Sequence, residues 1–227
     1  DVLTHCDYVP PKGHRMDRFL TFLPIQRLFS GASHFVVSSF YQLPPRDPRR
    51  TEVVPPILRK AVQEHEPRDG EHILVYVSGG AYAGLLPILE SKPCRFIVYG
   101  LDGHTAHDNI QFKSPSKHGF LEDLATCRFA ISNGGHSLIS EALYYRKPVL
   151  CFPIHYLYEQ ILNGHFLATY GFGEYSMNPT LDEGLVERML ARRDEYQERI
   201  ARQDFWGNAQ IAARINAFLA HGLPVAG

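Results

Sequence analysis

Residues 128–152 of this chain read RFAISNGGHSLISEALYYRKPVLCF, and this stretch decides the fold. Its first part, residues 128–132, predicts a short apolar strand, which a pair of glycines follows. Apolar positions in residues 137–146 have near-helical spacing, and Pro148 ends that helix because proline disfavours helical geometry in the residue before it. Residues 149–152 then predict a second buried strand. The stretch therefore predicts one βαβ unit with a glycine turn between its first strand and its helix.

The glycine turn has the properties of a phosphate site. Gly134 and Gly135 let the backbone turn tightly and approach a ligand. A helix that opens after such a turn presents unpaired N–H groups and the positive end of its dipole, which suits a phosphate or diphosphate. Glu141 lies two turns into this helix, where a carboxylate can accept hydrogen bonds from ribose hydroxyls. A turn that needs glycine only for packing is the alternative, but Glu141 favours a nucleotide site.

The composition is that of an ordinary globular protein. The 227 residues are 44% hydrophobic and 21% charged, with a net charge of −1. This balance argues against nucleic acid as a partner, because phosphate contacts need a basic excess. The four cysteines form no CxxC pair, which indicates buried reduced thiols, with zinc or disulfide roles less favoured. No apolar run approaches the roughly 18 residues of a membrane span. We expect a cytoplasmic protein, with peripheral association at the inner membrane face as the alternative.

A regular alternation of strands and helices begins near residue 72. Residues 73–77, 95–99 and 110–112 predict further strands, and helical segments separate them. Fully apolar strands joined by helices are typical of a parallel sheet covered on both faces. The predicted fold class is therefore α/β, a doubly wound Rossmann-like parallel sheet. Ligands of such sheets bind beyond the carboxyl ends of the strands. The loops predicted there are Ser78-Gly79-Gly80, residues 117–120 and Asn133-Gly134-Gly135.

The arrangement resembles the donor-sugar signature of two-domain (GT-B) nucleotide-sugar glycosyltransferases. That group includes the bacterial N-acetylglucosaminyltransferase of peptidoglycan synthesis, the macrolide and plant UDP-glycosyltransferases, and uncharacterised prokaryotic homologues. Its signature is a glycine pair, Ser or Thr, Glu-Ala, Gly-x-Pro, a strand ending in proline, Asp/Glu-Gln and Asn. The matching positions here, in chain order, are Gly134-Gly135, Ser137, Glu141-Ala142, Pro148, Pro153, Glu159-Gln160 and Asn163.

The chain departs from this signature at three positions. Asn133 stands where many members have a histidine that contacts a phosphate, and asparagine can still donate a hydrogen bond, but without charge. Lys147 stands before the proline, and the glycine of the Gly-x-Pro part of the signature is missing, which we interpret as a structural change. Glu159 replaces the usual aspartate, as in some relatives, and leaves the identity of the donor sugar open.

The resemblance implies a role for each matching loop. The glycine turn would hold the diphosphate, Glu141 the ribose, the segment from His155 to Gln160 the donor sugar, and the loop around His118 the nucleobase. The Ser78 loop would lie near the phosphates and the acceptor. The implied donor-binding residues are Ser78, Gly79, Gly80, His118, Phe120, Asn133, Gly134, Gly135, Ser137, Glu141, His155, Glu159 and Gln160. Ordinary βα turns, a surface loop at residues 117–121 and a polar helix start at Glu159 are the structural alternatives.

The resemblance also implies two domains. Val54-Pro55-Pro56-Ile57-Leu58-Arg59 is similar to the Val-Gly-Pro-Ile-x-Arg stretch between the domains of such enzymes. Residues 1–57 would then be the C-terminal part of an acceptor-side N-terminal domain with its linker, and residues 58–227 the donor-binding domain. We therefore expect this chain to be a fragment, with a missing N-terminal domain or a partner chain as its complement.

The implied activity is transfer of a sugar from a UDP-sugar to an unknown acceptor, which would be a lipid, a glycan or a small molecule. The reaction would be inverting and metal-independent, with no metal site and no cofactor besides the nucleotide-sugar co-substrate. A general base, His or Asp in most relatives, would deprotonate the acceptor from the N-terminal domain. The catalytic residues of this chain stay unknown. His5 and His14 are the only candidate bases within residues 1–57, and most lone histidines are structural.

Three other functions stay open at this point. A UDP-sugar 2-epimerase shares the architecture but needs further acidic and basic residues around the sugar, which the sequence does not reveal. A donor-binding half that works with a partner chain is the second, although the residues before the first sheet strand argue against it. A dinucleotide oxidoreductase is the third, but Ala81-Tyr82 follow Gly79-Gly80, so the dinucleotide glycine fingerprint is missing.

Overall fold

A computed structural model describes residues 2–29, 31–77, 81–100, 108–114, 116–178 and 184–221. The chain forms two compact units. The first unit comprises Asp1–Leu58 and Asp204–Gly227, and the second unit comprises Arg59–Gln203. No helix in the described ranges combines the length and the apolar character needed to cross a membrane.

The first unit begins with two helices and two strands. They are α1 (Val2–His5), α2 (Arg15–Phe29), β1 (Phe35–Ser38) and β2 (Thr51–Val54). β1 and β2 pair in parallel, with Phe35 opposite Thr51. Apolar spacing over residues 18–29 and the apolar run at residues 34–40 predict α2 and β1, whereas the four residues of α1 and of β2 carry no such pattern.

α2 carries much of its apolar surface on the outside of the unit. Met16, Phe19, Leu20, Leu23 and Leu28 are all exposed. The helix begins three residues before the predicted start at residue 18, and the prediction that it is amphipathic is wrong, since Phe19 and Leu23 of the predicted apolar face are exposed.

Within the part of the chain that the structure describes, the second unit is built on a six-stranded sheet, and helices connect most of its successive strands. A 3-10 helix (Lys60–Glu64) leads into it. The elements that follow are β3 (His72–Tyr76), α3 (Ala81–Glu90), β4 (Arg95–Tyr99), β5 (Ile110–Lys113), α4 (Lys117–Thr126), β6 (Ala130–Ser132), α5 (His136–Tyr144), β7 (Val149–Cys151), α6 (Tyr158–Thr169), β8 (Gly173–Tyr175), α7 (Leu185–Ala191) and α8 (Arg193–Ile200).

The strand order is β5-β4-β3-β6-β7-β8, and every neighbouring pair is parallel. This confirms the predicted α/β class with a Rossmann-like parallel sheet. The strands are buried as a fully covered sheet requires: Ile73, Leu74 and Val75 are 0% exposed. The sequence does not predict β8, because Gly-Glu-Tyr has no apolar run and Gly171 and Gly173 are typical of the end of the preceding helix.

The order of the strands sets the place of a ligand site. From β3 the chain moves outward through β4 and β5, and then returns to β6 on the other side of β3. This reversal is a topological switch point, and ligands of open α/β sheets bind in the crevice outside the carboxyl ends of the strands there. Tyr76 and Ser132 are register partners at those two carboxyl ends.

The last helix, α9 (Asn208–His221), belongs to the first unit. Asn208 accepts a hydrogen bond from the Leu58 N–H at 2.9 Å and donates one to the Leu58 carbonyl at 2.8 Å. Arg214 pairs with Glu52 of β2. The predicted boundary between residues 57 and 58 lies one residue before the division between Leu58 and Arg59, and the first unit also includes residues 204–221. The roles predicted for the two domains stay predictions.

Candidate functional site

The turn between β6 and α5 lies at the switch point and is locked by neighbouring groups. Gly134 has φ +86°, and a Cβ there would lie 2.9 Å from the carbonyl oxygen of Gln160. The Gly134 N–H donates to the Ser132 hydroxyl at 3.1 Å. On the other side, Asn163 donates from Nδ2 to the Gly134 carbonyl at 2.9 Å. The turn therefore needs glycine for its backbone geometry and for the close approach of α6.

Asn133, a predicted phosphate contact, is buried at 7% exposure. Its Nδ2 donates to the carbonyl of Phe152 at 3.0 Å, which ties the turn to the end of β7. The structure thus gives this side chain a scaffolding contact.

Gly135 is the N-cap of α5, and a Cβ added there would meet nothing within 4 Å. The first intrahelical bond of α5 runs from the Ile139 N–H to the Gly135 carbonyl at 3.1 Å. The N–H groups of the first turn precede that bond and have no partner within the helix. Ser137 is exposed in this turn. The N-terminus of α5 is thus open to an anion, in line with the dipole of the helix.

Glu141 is buried one turn further along α5, and it holds an arginine. Its side chain is 9% exposed. Arg59 donates from Nε to Oε1 at 2.7 Å and from Nη2 to Oε2 at 2.9 Å, although the two residues are 82 positions apart. This is a bidentate ion pair, the strong form of an arginine–carboxylate contact.

Arg59 is fixed in place by the backbone that follows it. It directly precedes the 3-10 helix, whose Val62 is 0% exposed. Tyr145, just past the end of α5, donates from its hydroxyl to the Val62 carbonyl at 2.8 Å. Burial, then the charge of Glu141, raises the pKa of Tyr145, so this hydroxyl stays a donor. The segment carrying Arg59 is thereby attached to the helix that carries Glu141.

Glu141 and Arg59 line an open pocket of about 380 Å³, which we call the Glu141 pocket. Its walls combine the start of α5, the ion pair and an aromatic cluster. The lining residues are Arg59, Tyr76, Tyr99, Ser116, Phe120, Ser137, Leu138 and Glu141.

The aromatic cluster forms one end of the Glu141 pocket. The Phe120 ring meets Tyr76 edge to face at 5.6 Å and Tyr99 at 5.1 Å between ring centroids. Below them, the Tyr99 hydroxyl donates to Oδ2 of Asp123 at 2.6 Å. Burial, together with this hydrogen bond, raises the pKa of Tyr99. Tyr76 is 43% exposed, which leaves an aromatic surface open to a planar ligand.

The segment between β7 and α6 carries the predicted sugar contacts. His155 and Glu159 are exposed, and neither they nor Gln160 is among the described side chains that line the Glu141 pocket. Oε1 of Gln160 accepts a hydrogen bond from the Ile154 N–H at 3.1 Å. Tyr156 has φ +71° and is 81% exposed, so this segment holds an unusual backbone conformation at the surface.

The remaining predicted residues lie elsewhere or outside the described residues. Ser78, Gly79 and Gly80 are outside them, and for His118 only the backbone, within α4, is described. His5 and His14 lie in the first unit. The His5 ring stacks on Phe35 with centroids 3.8 Å apart, and burial, with Arg46 and Arg50, lowers its pKa. His14 Nδ1 lies 3.1 Å from Oδ2 of Asp17.

The structure thus brings Phe120, Ser137 and Glu141 together, and it adds residues that sequence analysis did not assign to the site. Arg59 stood in the quoted linker stretch, where its charge gave no sign of its partner. Tyr76 and Tyr99 end their strands at the carboxyl edge, a position that could have marked them. Among the described residues no group of three His, Cys, Asp or Glu side chains is arranged to hold a metal ion.

Comparison with known proteins gives a family match over most of the chain. The model of glycosyl transferase family 1 matches residues 1–193. A search of curated proteins found no significant match.

Solved structures share the fold. The calicheamicin glycosyltransferase CalG4 superposes with a TM-score of 0.63 at 18% identity over 92% of this chain and 60% of CalG4. UGT2 of Phytolacca americana, solved with UDP-2-fluoro-glucose and pterostilbene, gives 0.64 at 12% identity over 91% of this chain and 57% of UGT2. The spinosyn forosaminyltransferase SpnP gives 0.56 at 16% identity over 93% of this chain and 64% of SpnP. The chain therefore spans less than two thirds of the length of these structures.

Proposed function

The chain belongs to glycosyl transferase family 1, and from this premise we propose that its second unit binds the nucleotide-sugar donor of a sugar transfer, with UDP as the nucleotide. The observation that carries the proposal is the Glu141 pocket. An open helix N-terminus, a buried carboxylate and an aromatic cluster meet in one cavity of about 380 Å³. These are the groups that a diphosphate, a ribose and a nucleobase require, and the cavity is of the size that binds small molecules.

The diphosphate would bind at the start of α5. The N–H groups of its first turn, which point out of the helix end, the Ser137 hydroxyl and the positive end of the helix dipole all favour an anion there. The space beside Gly135 is open, since a Cβ added at that position would meet no atom within 4 Å.

The ribose and the base would follow along the pocket wall. Glu141 lies one turn after Ser137 on α5, and its oxygens can accept hydrogen bonds from ribose hydroxyls. Tyr76 and Phe120 offer aromatic surfaces against which a planar base can pack. UDP is favoured over other nucleotides because a structural neighbour, UGT2 of Phytolacca americana, was solved with a UDP-sugar analogue.

The donor sugar would extend from the diphosphate toward the segment between β7 and α6. Glu159 and His155 are exposed there, so their side chains are accessible to the hydroxyls of a sugar. Gln160 already uses its Oε1 on the Ile154 N–H, so its amide NH2 is the group left to a ligand.

The chemistry we propose is a metal-independent, inverting transfer to an acceptor of unknown class. The acceptor oxygen would form a bond to the anomeric carbon as the bond to the β-phosphate oxygen breaks, and a general base would take the acceptor proton. The start of α5 would stabilise the charge that develops on the departing UDP. The general base would belong to the acceptor side, where His5 and His14 are the candidates in this chain. A further domain or a partner chain would supply the remaining residues of the acceptor site.

Calorimetric titration tests the donor site. UDP, UDP-sugars, dTDP, GDP and ADP would be titrated into the full chain and into Glu141→Ala. We expect UDP and a UDP-sugar to bind, and Glu141→Ala to bind UDP roughly ten- to a hundredfold more weakly, since hydrogen bonds to a charged group are lost.

Glu187→Ala is the matched control, because Glu187 is an exposed partner of Lys92 at 2.6 Å outside the Glu141 pocket. It should bind UDP as the wild type does. Absence of binding for every nucleotide, or identical binding by Glu141→Ala, would overturn the proposal. Product analysis with a bound UDP-sugar separates transfer from 2-epimerisation.

A further inference from the structure

We propose that Arg59 is a positioning residue of the Glu141 pocket. It orients the Glu141 carboxylate toward the ribose, and through that carboxylate it makes the pocket prefer a ribonucleotide to a 2′-deoxyribonucleotide. The inference deepens the proposed function and rests on it.

The ion pair fixes the plane of the carboxylate. One guanidinium nitrogen meets each oxygen, at 2.7 and 2.9 Å. A fork of this kind holds both groups coplanar, which a single lysine contact does not do. Each carboxylate oxygen keeps a second lone pair, so two oxygens remain able to accept two hydroxyls. A ribose presents two neighbouring hydroxyls, whereas a 2′-deoxyribose presents one.

Both members of the pair are held by the same helix. Glu141 projects from α5, and Tyr145, four residues later, binds the Val62 carbonyl of the 3-10 helix that follows Arg59. Tyr145 and Val62 are both 0% exposed. The pair is therefore preorganised before a nucleotide arrives, which reduces the ordering that binding requires.

Arg59 also balances the charge of Glu141. Ser137 and Glu141 lie four residues apart on one face of α5, so an unpaired carboxylate would face the place proposed for the diphosphate. Its repulsion would oppose the attraction of the helix N-terminus. The guanidinium cancels that negative charge within hydrogen-bonding distance.

The competing possibility is that Arg59 leaves Glu141 and binds a phosphate directly. The two possibilities differ in how the effects of the Arg59 and Glu141 variants on nucleotide affinity combine. If Arg59 acts through Glu141, removing Arg59 costs nothing more once the carboxylate has been replaced by an amide. If Arg59 binds phosphate, its loss adds to the loss of Glu141.

The test compares wild type, Arg59→Met, Glu141→Gln and the double variant, each titrated with UDP and with 2′-deoxy-UDP. We expect the wild type to prefer UDP roughly tenfold or more, since a buried acceptor left without its hydroxyl is penalised. Arg59→Met and Glu141→Gln should each lose most of that preference. The double variant should bind UDP no more weakly than Glu141→Gln, and Arg59→Lys should restore affinity in part without the full preference.

Arg68→Met is the control, since it removes an exposed arginine–glutamate pair with Glu122 from the same unit. Thermal melting checks that each variant is folded. Additive losses in the double variant, or an unchanged preference for UDP in Arg59→Met, would overturn the inference. If Arg59→Met does not fold, Arg59→Lys takes its place in the test. An unchanged preference of Arg59→Lys for UDP over 2′-deoxy-UDP would then overturn the inference as well. A wild type that binds no nucleotide would instead defeat the proposed function.

Discussion

Asn163 donates a hydrogen bond from Nδ2 to the carbonyl of Gly134 at 2.9 Å, and so ties α6 to the turn that precedes α5. Both residues are buried. Gly134 holds φ +86° at this point, and the backbone of Gln160 lies against it. The turn at the switch point is thus shaped by a second helix, 29 positions further along the chain.

Gly134→Ala should destabilise the fold. The new Cβ would lie 2.9 Å from the Gln160 carbonyl oxygen, and the residue would have to keep a left-handed conformation. We expect the free energy of unfolding to fall by about 1–3 kcal/mol, as measured by urea denaturation. Gly135→Ala is the matched control: its φ is −64° and its Cβ meets open space, so it should lose less than about 1 kcal/mol. Equal stabilities of the two variants would contradict this account of the turn.

Asn163→Ala should affect both stability and nucleotide binding. The Gly134 carbonyl would lose its partner in a buried place, at a cost of about 1–3 kcal/mol in unfolding free energy. Since the turn that carries the start of α5 is then released, affinity for UDP should fall as well. Asn109→Ala is the comparison, because Asn109 donates to the carbonyls of Leu89 and Lys92 away from the Glu141 pocket. It should lose stability while keeping its affinity, and a normal affinity in Asn163→Ala would refute the link.

His136 should make the protein less stable in mild acid. Burial lowers the pKa of His136 from 6.5 to about 4. Between these values the unfolded chain binds the proton more readily than the folded one, so stability falls as the pH falls from about 6.5 and the loss is complete below about pH 4. We expect His136→Gln to remove up to about 3 kcal/mol of this pH dependence, measured by urea denaturation across the range. Parallel curves for the two proteins would contradict the expectation.

Lys147→Met should destabilise the second unit. The Lys147 side chain is 2% exposed, and its Nζ donates to the Arg68 carbonyl at 2.7 Å and to Asp69 at 3.3 Å. Loss of these bonds should cost about 1–3 kcal/mol at neutral pH in the free energy of unfolding.

Part of that cost should disappear in acid. Burial alone would raise the pKa of Asp69, but the charge and hydrogen bond of Lys147, with the charge of Arg193, lower it from 3.8. Stability that depends on this carboxylate is present above about pH 4 and is lost as the pH falls through its folded pKa. The gap between wild type and Lys147→Met should therefore narrow below about pH 4. Because Asp69 is half exposed, Asp69→Asn alone should change stability by less than about 1 kcal/mol.

Most of the parallel sheet could be predicted from the sequence because its central strands are recognisable as apolar runs. Residues 73–77 and 95–99 are apolar runs between turn-forming residues, and the structure places β3 and β4 there within a residue. β2 and β8 could not be predicted, since Thr-Glu-Val-Val and Gly-Glu-Tyr are short, contain a charged residue and lack an apolar run, so that pairing with a neighbouring strand defines them. The glycine turn with Ser137 and Glu141 could also be predicted from the sequence, because all of its parts lie within one βα connection.

What the sequence determined by itself is therefore local: a glycine pair that permits a left-handed turn, a helix start after it, and a carboxylate two turns on. Only the tertiary structure decided which residues contact the carboxylate of Glu141 and share its pocket. Arg59 reaches Glu141 across 82 positions, and Tyr76 and Tyr99 come to the same pocket as Phe120 because β3 and β4 end beside one another at the carboxyl edge of the sheet. Such meetings depend on strand order and helix packing, which no periodicity within a short stretch of chain can specify.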